Sequence, residues 1–116
     1  MAHYQKFLMS AGVAFVLLSS PALAADPKID LARAQEIVNG RCSLCHGLEG
    51  ESASPVFPRL AGQHAEYIAK QLAEFKSGKR KSETMKPQAE ELTPDEMKAL
   101  GAFFEKKKAV GRPVRD

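Results

Sequence analysis

The sequence contains no tryptophan, two tyrosines and six phenylalanines in 116 residues. Three of these aromatic residues, Tyr4, Phe7 and Phe15, lie near the N-terminus, in a segment whose composition differs from the rest. A small chain with so few large apolar side chains is marginally stable unless a disulfide, a metal or another added group strengthens it. The composition therefore predicts that something besides side chains fills part of the core.

Cysteine is scarce as well, and charge of neither sign dominates. Both cysteines lie in one pentapeptide, Cys42-Ser-Leu-Cys45-His46, and 17 Lys and Arg are balanced by 14 Asp and Glu. Nucleic-acid binding calls for a basic patch or a strongly basic domain, so the weak net charge argues against it. A charged fraction of 27% and a hydrophobic fraction of 44% are typical of one small globular domain.

The first 24 residues carry a single lysine and no acidic residue. Their apolar run of about a dozen residues is shorter than the roughly 20 that a membrane anchor needs, which makes an uncleaved anchor the weaker alternative. The run is followed by Ala22-Leu23-Ala24, which offers small residues at the positions that signal peptidase reads. We predict a secretory signal over 1–24, cleaved after Ala24 or Ala25, and a mature domain over 25–116 in the oxidising bacterial periplasm.

Helical periodicity predicts three main helices and no strand in the mature chain. The first begins after Asp30 and should end at Gly40, and the second ends at Gly78. The third begins at Thr93, which forms a capping box with Glu96. Two long segments without periodicity, one with both cysteines and one with a methionine and a proline, are predicted loops. Loops of this length in a small domain indicate that they enclose something.

Four chemistries can explain the pentapeptide. A disulfide between Cys42 and Cys45 closes a very short loop and stabilises little. A thioredoxin-like dithiol occurs in a βαβ setting, for which no strand is predicted. A structural zinc site needs four ligands, and outside the motif only His64 remains after signal removal. The fourth chemistry is covalent haem c, in which both thiols bond the porphyrin and His46 binds the iron. Because the chain is exported and has no other cysteine, haem is the favoured interpretation.

A haem also explains the sparse core, because a large apolar disc between short helices supplies the missing burial. Three segments in this order, "CSLCHG", "FPRLAGQHAEYIAKQLAEFKSGKR" and "MKPQAEELTPDEMKALGAFF", resemble the haem motif, middle segment and distal loop of class I c-type cytochromes. The resemblance covers about Leu31 to Lys107, and it is to the small single-haem bacterial proteins related to the diheme cytochromes c. It implies an all-α cytochrome c-like fold whose three main helices and long loops surround one covalent haem. The chain departs from the family at Ala34, where glycine is common, and at Val38, where an aromatic residue is common.

The second axial ligand of the iron is predicted to be Met85. The resemblance places the distal methionine of the family at this position. Met1 and Met9 leave with the signal, and Met97 lies on the apolar stripe of the last helix. His64 is the rival ligand and would give an iron with two histidines.

The resemblance also assigns roles around the haem. It implies that the Pro58 carbonyl holds the His46 ring and that Leu60 and Tyr67 line the pocket. The expected function is periplasmic one-electron transfer through the haem, without catalysis or a small-molecule substrate, between redox proteins such as a dehydrogenase and a terminal oxidase. A dedicated cytochrome subunit of an oxidoreductase complex is the alternative. A sensor or peroxidase from which Met85 detaches is a third, weaker one.

Overall fold

The computed structural model of the protein describes residues 29–52 and 54–110. These residues are helical and contain no strand, which confirms the predicted all-α class. The predicted signal, its cleavage site and the start of the mature domain lie outside the described residues. No helix in the described part is long and apolar enough to cross a membrane. The helical elements in chain order are α1 (Leu31–Ile37), a π-helical turn (Val38–Cys42), α2 (Ser43–His46), α3 (Ala65–Ser77), α4 (Met85–Glu90) and α5 (Pro94–Glu105).

The first helix is longer than the sequence predicts, and the expected stop at Gly40 is wrong. The Asp30 side chain accepts a hydrogen bond from the Arg33 N–H and caps α1 as expected. The chain then passes through Gly40 without leaving the helix, because the π-helical turn accommodates an extra residue between α1 and α2. The Ser43 N–H donates to the Val38 carbonyl across this turn. The haem-binding motif therefore lies within a helix and not in a loop.

Helix α3 agrees with the prediction. It ends at Gly78, which adopts the left-handed conformation with φ of 79° that favours glycine at this position. Ile68 and Phe75 are buried on its inner face, and Leu72 packs against the core from the same side.

The segment around Met85 was predicted as a loop, and this is wrong, because it contains the short helix α4. The prediction treated Pro87 as a helix breaker. Pro87 instead occupies the first turn of α4, where a backbone N–H would have no intrahelical partner and its loss costs little. Ala89 is the residue of this helix that is fully buried against the rest of the domain.

Helix α5 begins with the predicted capping box. The Thr93 hydroxyl accepts from the Glu96 N–H at 3.2 Å, and the Glu96 carboxylate accepts from the Thr93 N–H at 2.9 Å. The pKa of Glu96 is held below its usual value, mainly because its carboxylate accepts from the Thr93 N–H. The hydrogen bond from the Arg33 guanidinium is the second cause. Because Arg33 Nε lies 2.9 Å from Glu96 Oε1, the same carboxylate joins α1 to α5.

The core lies between α1, α3 and α5. Gly101 of α5 packs against the backbone of Ala65 so closely that a Cβ at Gly101 would overlap the Ala65 carbonyl oxygen. One turn later the Glu105 carboxylate accepts from the Ala65 N–H at 3.1 Å, so α5 also caps the start of α3. The buried hydrophobic cluster consists of Ala34, Ile37, Val38, Ile68, Leu92, Met97, Ala99, Leu100, Phe103 and Phe104.

Candidate functional site

Cys42, Cys45 and His46 lie on one side of a continuous helical segment, because residues three and four positions apart are neighbours on a helix surface. Both cysteines are half-buried free thiols. Burial raises the pKa of the Cys42 thiol to about 11. A thiol with so high a pKa is protonated at neutral pH, so Cys42 itself is a poor nucleophile.

The His46 ring is buried and held in one orientation. Its exposed fraction is 6%, and Nδ1 lies 2.8 Å from the carbonyl oxygen of Pro58. Since a carbonyl can only accept, Nδ1 carries a proton in this contact, and in the neutral ring Nε2 then has the free lone pair. The Phe57 ring meets the imidazole edge-on, with 6.3 Å between ring centroids. This arrangement is the one that a metal-ligating histidine requires.

The loop that carries Pro58 is folded by its own hydrogen bonds. Gly47 ends α2 with φ of 79°, and the Ser52 N–H donates to the His46 carbonyl at 2.9 Å. The Ser52 hydroxyl lies 2.8 Å from the carbonyl oxygens of Ser54 and Phe57 and closes the turn. These contacts bring the chain back so that the Pro58 carbonyl faces the imidazole.

Gly50 fixes the same loop to the core. Its carbonyl accepts from the N–H groups of Leu60 at 2.8 Å and Ala61 at 3.1 Å. A side chain at Gly50 would collide with the Phe104 ring and the Ala61 backbone, and its φ of 77° also favours glycine. Leu60 is partly buried and packs against the hydrophobic cluster, as a pocket-lining residue would.

Met85 and Tyr67 are less closely tied to His46. Met85 is the first residue of α4, is partly buried, and donates its N–H to Ser82 Oγ at 3.1 Å. Tyr67 is 48% exposed on α3. Within residues 29–52 and 54–110, no hydrogen bond or ring contact joins either of them to His46, so the axial role of Met85 and the pocket role of Tyr67 stay predictions.

Sequence reasoning missed Arg41, which connects the motif to α4. Arg41 Nη1 donates to the Gln88 carbonyl at 3.3 Å, and Nη2 forms an ion pair with Glu91. These partners are 47 and 50 residues away in the chain. No local pattern could have indicated them, because the contact depends on the extension of the first helix through the π-helical turn.

The described residues favour a haem over a zinc ion. They contain no group of three or more His, Cys, Asp or Glu side chains arranged to hold a metal ion. His64, the other histidine within residues 29–52 and 54–110, has a side chain that is 87% exposed and lies 3.9 Å from Glu105. Two free thiols and one buried imidazole on the same side of a helix instead fit the covalent attachment of a porphyrin.

A comparison with family models decides which of the proposed chemistries the pentapeptide has. The family model for cytochrome c matches residues 31–108. The chain belongs to the cytochrome c family. The match spans all the helices and the Cys42/Cys45 pair, so membership confirms haem c as the cofactor of this cytochrome c. It also confirms the class I type that the three segments indicate.

Named relatives and a solved structure agree with the assignment. The thiosulfate dehydrogenase electron acceptor of Stutzerimonas stutzeri is 43% identical over 97 residues, which cover 82% of this cytochrome c and 45% of the relative. The cytochrome subunit of sulfide dehydrogenase of Chlorobaculum tepidum is 33% identical and covers 84% of this chain and 86% of its own. The crystal structure of reduced recombinant cytochrome c4 from Pseudomonas stutzeri superposes with a TM-score of 0.64 at 32% identity, over 70% of this chain and 47% of that one.

The relatives differ in the share of their length that this cytochrome c covers. This cytochrome c spans less than half the length of the thiosulfate dehydrogenase electron acceptor and of several cytochromes c4. The sulfide dehydrogenase subunit, in contrast, is matched over most of its length.

Proposed function

We propose that the protein is a one-electron carrier in which Cys42 and Cys45 hold haem c covalently and His46 and Met85 bind its iron. The observation that carries the proposal is the 2.8 Å contact between His46 Nδ1 and the Pro58 carbonyl. This contact leaves Nε2 as the free ligand atom of a buried imidazole, on the same side of the helix as both thiols.

Two axial protein ligands suit electron transfer better than catalysis. When bound, haem supplies an iron that exchanges one electron between its ferric and ferrous states. If His46 and Met85 both bound the iron, they would leave no position open for a substrate. The buried His46 ring, fixed by the Pro58 carbonyl, changes orientation little between the two states. A thioether ligand at Met85 favours the ferrous state relative to stronger donors and raises the reduction potential.

Side chains beyond the ligands would exclude water from the site. Leu60 packs against the core next to Pro58, and we assign it to the proximal wall of the haem pocket. Tyr67 is half exposed, so we assign it to the rim, where its hydroxyl stays in contact with solvent. A dry pocket disfavours charge at the iron and therefore contributes to the potential.

The partners and compartment follow from the sequence and the names of relatives. One relative is named an electron acceptor of thiosulfate dehydrogenase and another a cytochrome subunit of sulfide dehydrogenase. We therefore propose redox proteins, a dehydrogenase among them, as donor and acceptor. On the strength of the signal predicted over 1–24, we propose the periplasm as the compartment of the mature chain.

Met85→Ala should abolish the sulfur-to-iron charge-transfer band of the ferric holoprotein and lower its midpoint potential. The reason is that alanine leaves the iron without its thioether ligand. Visible absorption and a spectroelectrochemical titration measure the two effects.

Met97→Leu is the matched control for Met85→Ala. Met97 is 4% exposed in the core of α5, and exchange of methionine for leucine nearly conserves volume. This variant should keep both the band and the potential. If instead Met85→Ala kept the band, Met85 would not be the ligand, and loss of the band in Met97→Leu would identify Met97 as the sulfur ligand. Absence of the band from the native ferric protein would point to a second histidine, which His64→Ala would test.

A dedicated subunit of an oxidoreductase complex is the second candidate, favoured by the match over most of the sulfide dehydrogenase subunit. Size-exclusion chromatography of the native holoprotein from its source cells separates the two functions. A carrier should elute as a small protein and reduce or oxidise more than one partner. Elution of all the haem together with a larger dehydrogenase would support the subunit instead.

A further inference from the structure

Arg41 bridges the two segments that carry the proposed axial ligands. It adjoins Cys42 at the end of the π-helical turn and is four residues from Cys45. Its guanidinium reaches the far end of α4, where it donates to the Gln88 carbonyl and pairs with Glu91. The Arg41 side chain is 34% exposed and that of Glu91 is 73% exposed, so the ion pair faces solvent.

Helix α4 needs such support because it is only six residues long. An isolated helix of this length is unstable in water. The last four carbonyl groups of a helix lack intrahelical partners, and the Gln88 carbonyl is among them. Arg41 supplies the missing donor, and arginine also interacts favourably with the negative end of a helix dipole.

A second contact holds the segment just after α4. Lys76 Nζ of α3 donates to the Leu92 carbonyl at 2.6 Å, and Leu92 is buried. The end of α4 is thus tied to α3 on one side and to the haem-binding segment on the other. Among the hydrogen bonds and ion pairs within the described ranges 29–52 and 54–110, those of Arg41 alone join the two proposed ligand segments.

We propose that Arg41 is a positioning residue that ties the Cys42–His46 segment to α4 and thereby keeps Met85 in place opposite His46. The inference rests on the proposed ligation by Met85. Without the bridge, α4 can move away from the haem-binding segment more easily, and Met85 dissociates more often. An external ligand then binds more tightly, because its apparent affinity scales with the fraction of protein in the open state.

The chain offers a matched control in Arg33. Arg33 also forms a cross-element ion pair, with Nε 2.9 Å from Glu96 Oε1, but this pair joins α1 to α5 and does not contact α4. A variant at Arg33 therefore removes a comparable surface charge and ion pair. The Arg33 variant should lower the free energy of unfolding without changing how often Met85 dissociates.

The experiment compares Arg41→Gln and Arg33→Gln as ferric holoproteins titrated with imidazole. Loss of the sulfur-to-iron charge-transfer band reports displacement of the methionine. We expect Arg41→Gln to bind imidazole about three- to tenfold more tightly than the native protein, the change that loss of one ordinary solvent-exposed hydrogen bond produces. Arg33→Gln should stay within about twofold, because its ion pair joins α1 to α5 and does not contact α4.

Two further variants make the test specific. Arg41→Lys keeps the charge but loses the planar fork that contacts both partners, so we expect an intermediate imidazole affinity. Glu91→Gln removes the ion pair and leaves the bond to the Gln88 carbonyl, and should give a smaller increase than Arg41→Gln. If Arg41→Gln does not fold, the imidazole affinity of Glu91→Gln tests the proposal in its place.

The outcomes separate this inference from the proposed function. If Met85→Ala abolishes the band but the Arg41 and Glu91 variants bind imidazole no more tightly than Arg33→Gln, the positioning role is overturned and the ligand assignment stands. If Met85→Ala leaves the band unchanged, the proposed ligand set is wrong and the inference is overturned with it.

Discussion

A Cys42→Ala/Cys45→Ala double variant, expressed without haem, should show no cooperative thermal unfolding. The described core consists mainly of small and medium side chains, and its two largest fully buried side chains are Phe104 and Leu100. A domain of this size leaves a large share of its surface unburied, so it is marginal without an added group. The porphyrin supplies the missing apolar contact between the helices, and its loss should leave a fluctuating, partly helical chain.

Far-ultraviolet circular dichroism measures the effect as the loss of a sigmoidal melt. Cys45→Ala alone is the matched control, because one thioether still holds the haem, and this variant should melt cooperatively at a lower temperature. A native-like cooperative melt of the haem-free double variant would show that side chains alone stabilise the fold, against the argument from the sparse core.

Gly101→Ala should destabilise the holoprotein by about 1–3 kcal/mol, the range typical of overpacked cores. Alanine normally favours a helix over glycine by about 1 kcal/mol, so propensity alone predicts the opposite sign. At Gly101 the new Cβ would overlap the Ala65 carbonyl oxygen, a backbone atom that cannot rotate away. Helix α5 would have to move from the start of α3, which would also stretch the bond between Glu105 and the Ala65 N–H.

Gly40→Ala is the control, since a Cβ at Gly40 meets nothing within 4 Å. It should leave stability unchanged or raise it by up to about 1 kcal/mol. Guanidinium unfolding of both holoproteins, followed by circular dichroism, gives the two values. Equal stability of the two variants would mean that α5 and α3 do not approach as closely as described.

The elements that sequence reasoning predicted correctly are those whose signals are local. The capping box of Thr93 and Glu96, the left-handed Gly78 and the apolar stripe of α5 each depend on residues a few positions apart. The two errors concern glycine and proline. Gly40 was predicted to stop a helix that a π-helical turn carries onward, and Pro87 was treated as a breaker although it lies in a first turn. In both cases the prediction of the helix boundary failed because the tertiary structure decides where the helix begins and ends.

In the candidate site, too, the features with local sequence signals could be predicted and those that depend on distant residues could not. The spacing of Cys42, Cys45 and His46 indicates the cofactor from the sequence alone, and the Pro58 carbonyl that the resemblance singles out lies 2.8 Å from His46 Nδ1. Arg41 and Gly50 could not be predicted, because their partners at Gln88 and Phe104 are about fifty residues away in the chain. Such contacts arise only when separate helices pack, and no periodicity in the sequence encodes them.

The attachment of the proximal loop to α5 has a consequence for local unfolding. The Gly62 N–H donates to the Phe104 carbonyl at 2.9 Å, while Gly50 lies against the Phe104 ring. We therefore expect the loop and α5 to open as one cooperative unit. Amide hydrogens of Leu60 and Gly62 are then expected to exchange with solvent as slowly as those in the middle of α5. The proximal face of the iron would thus be as protected from solvent as the most stable part of the molecule.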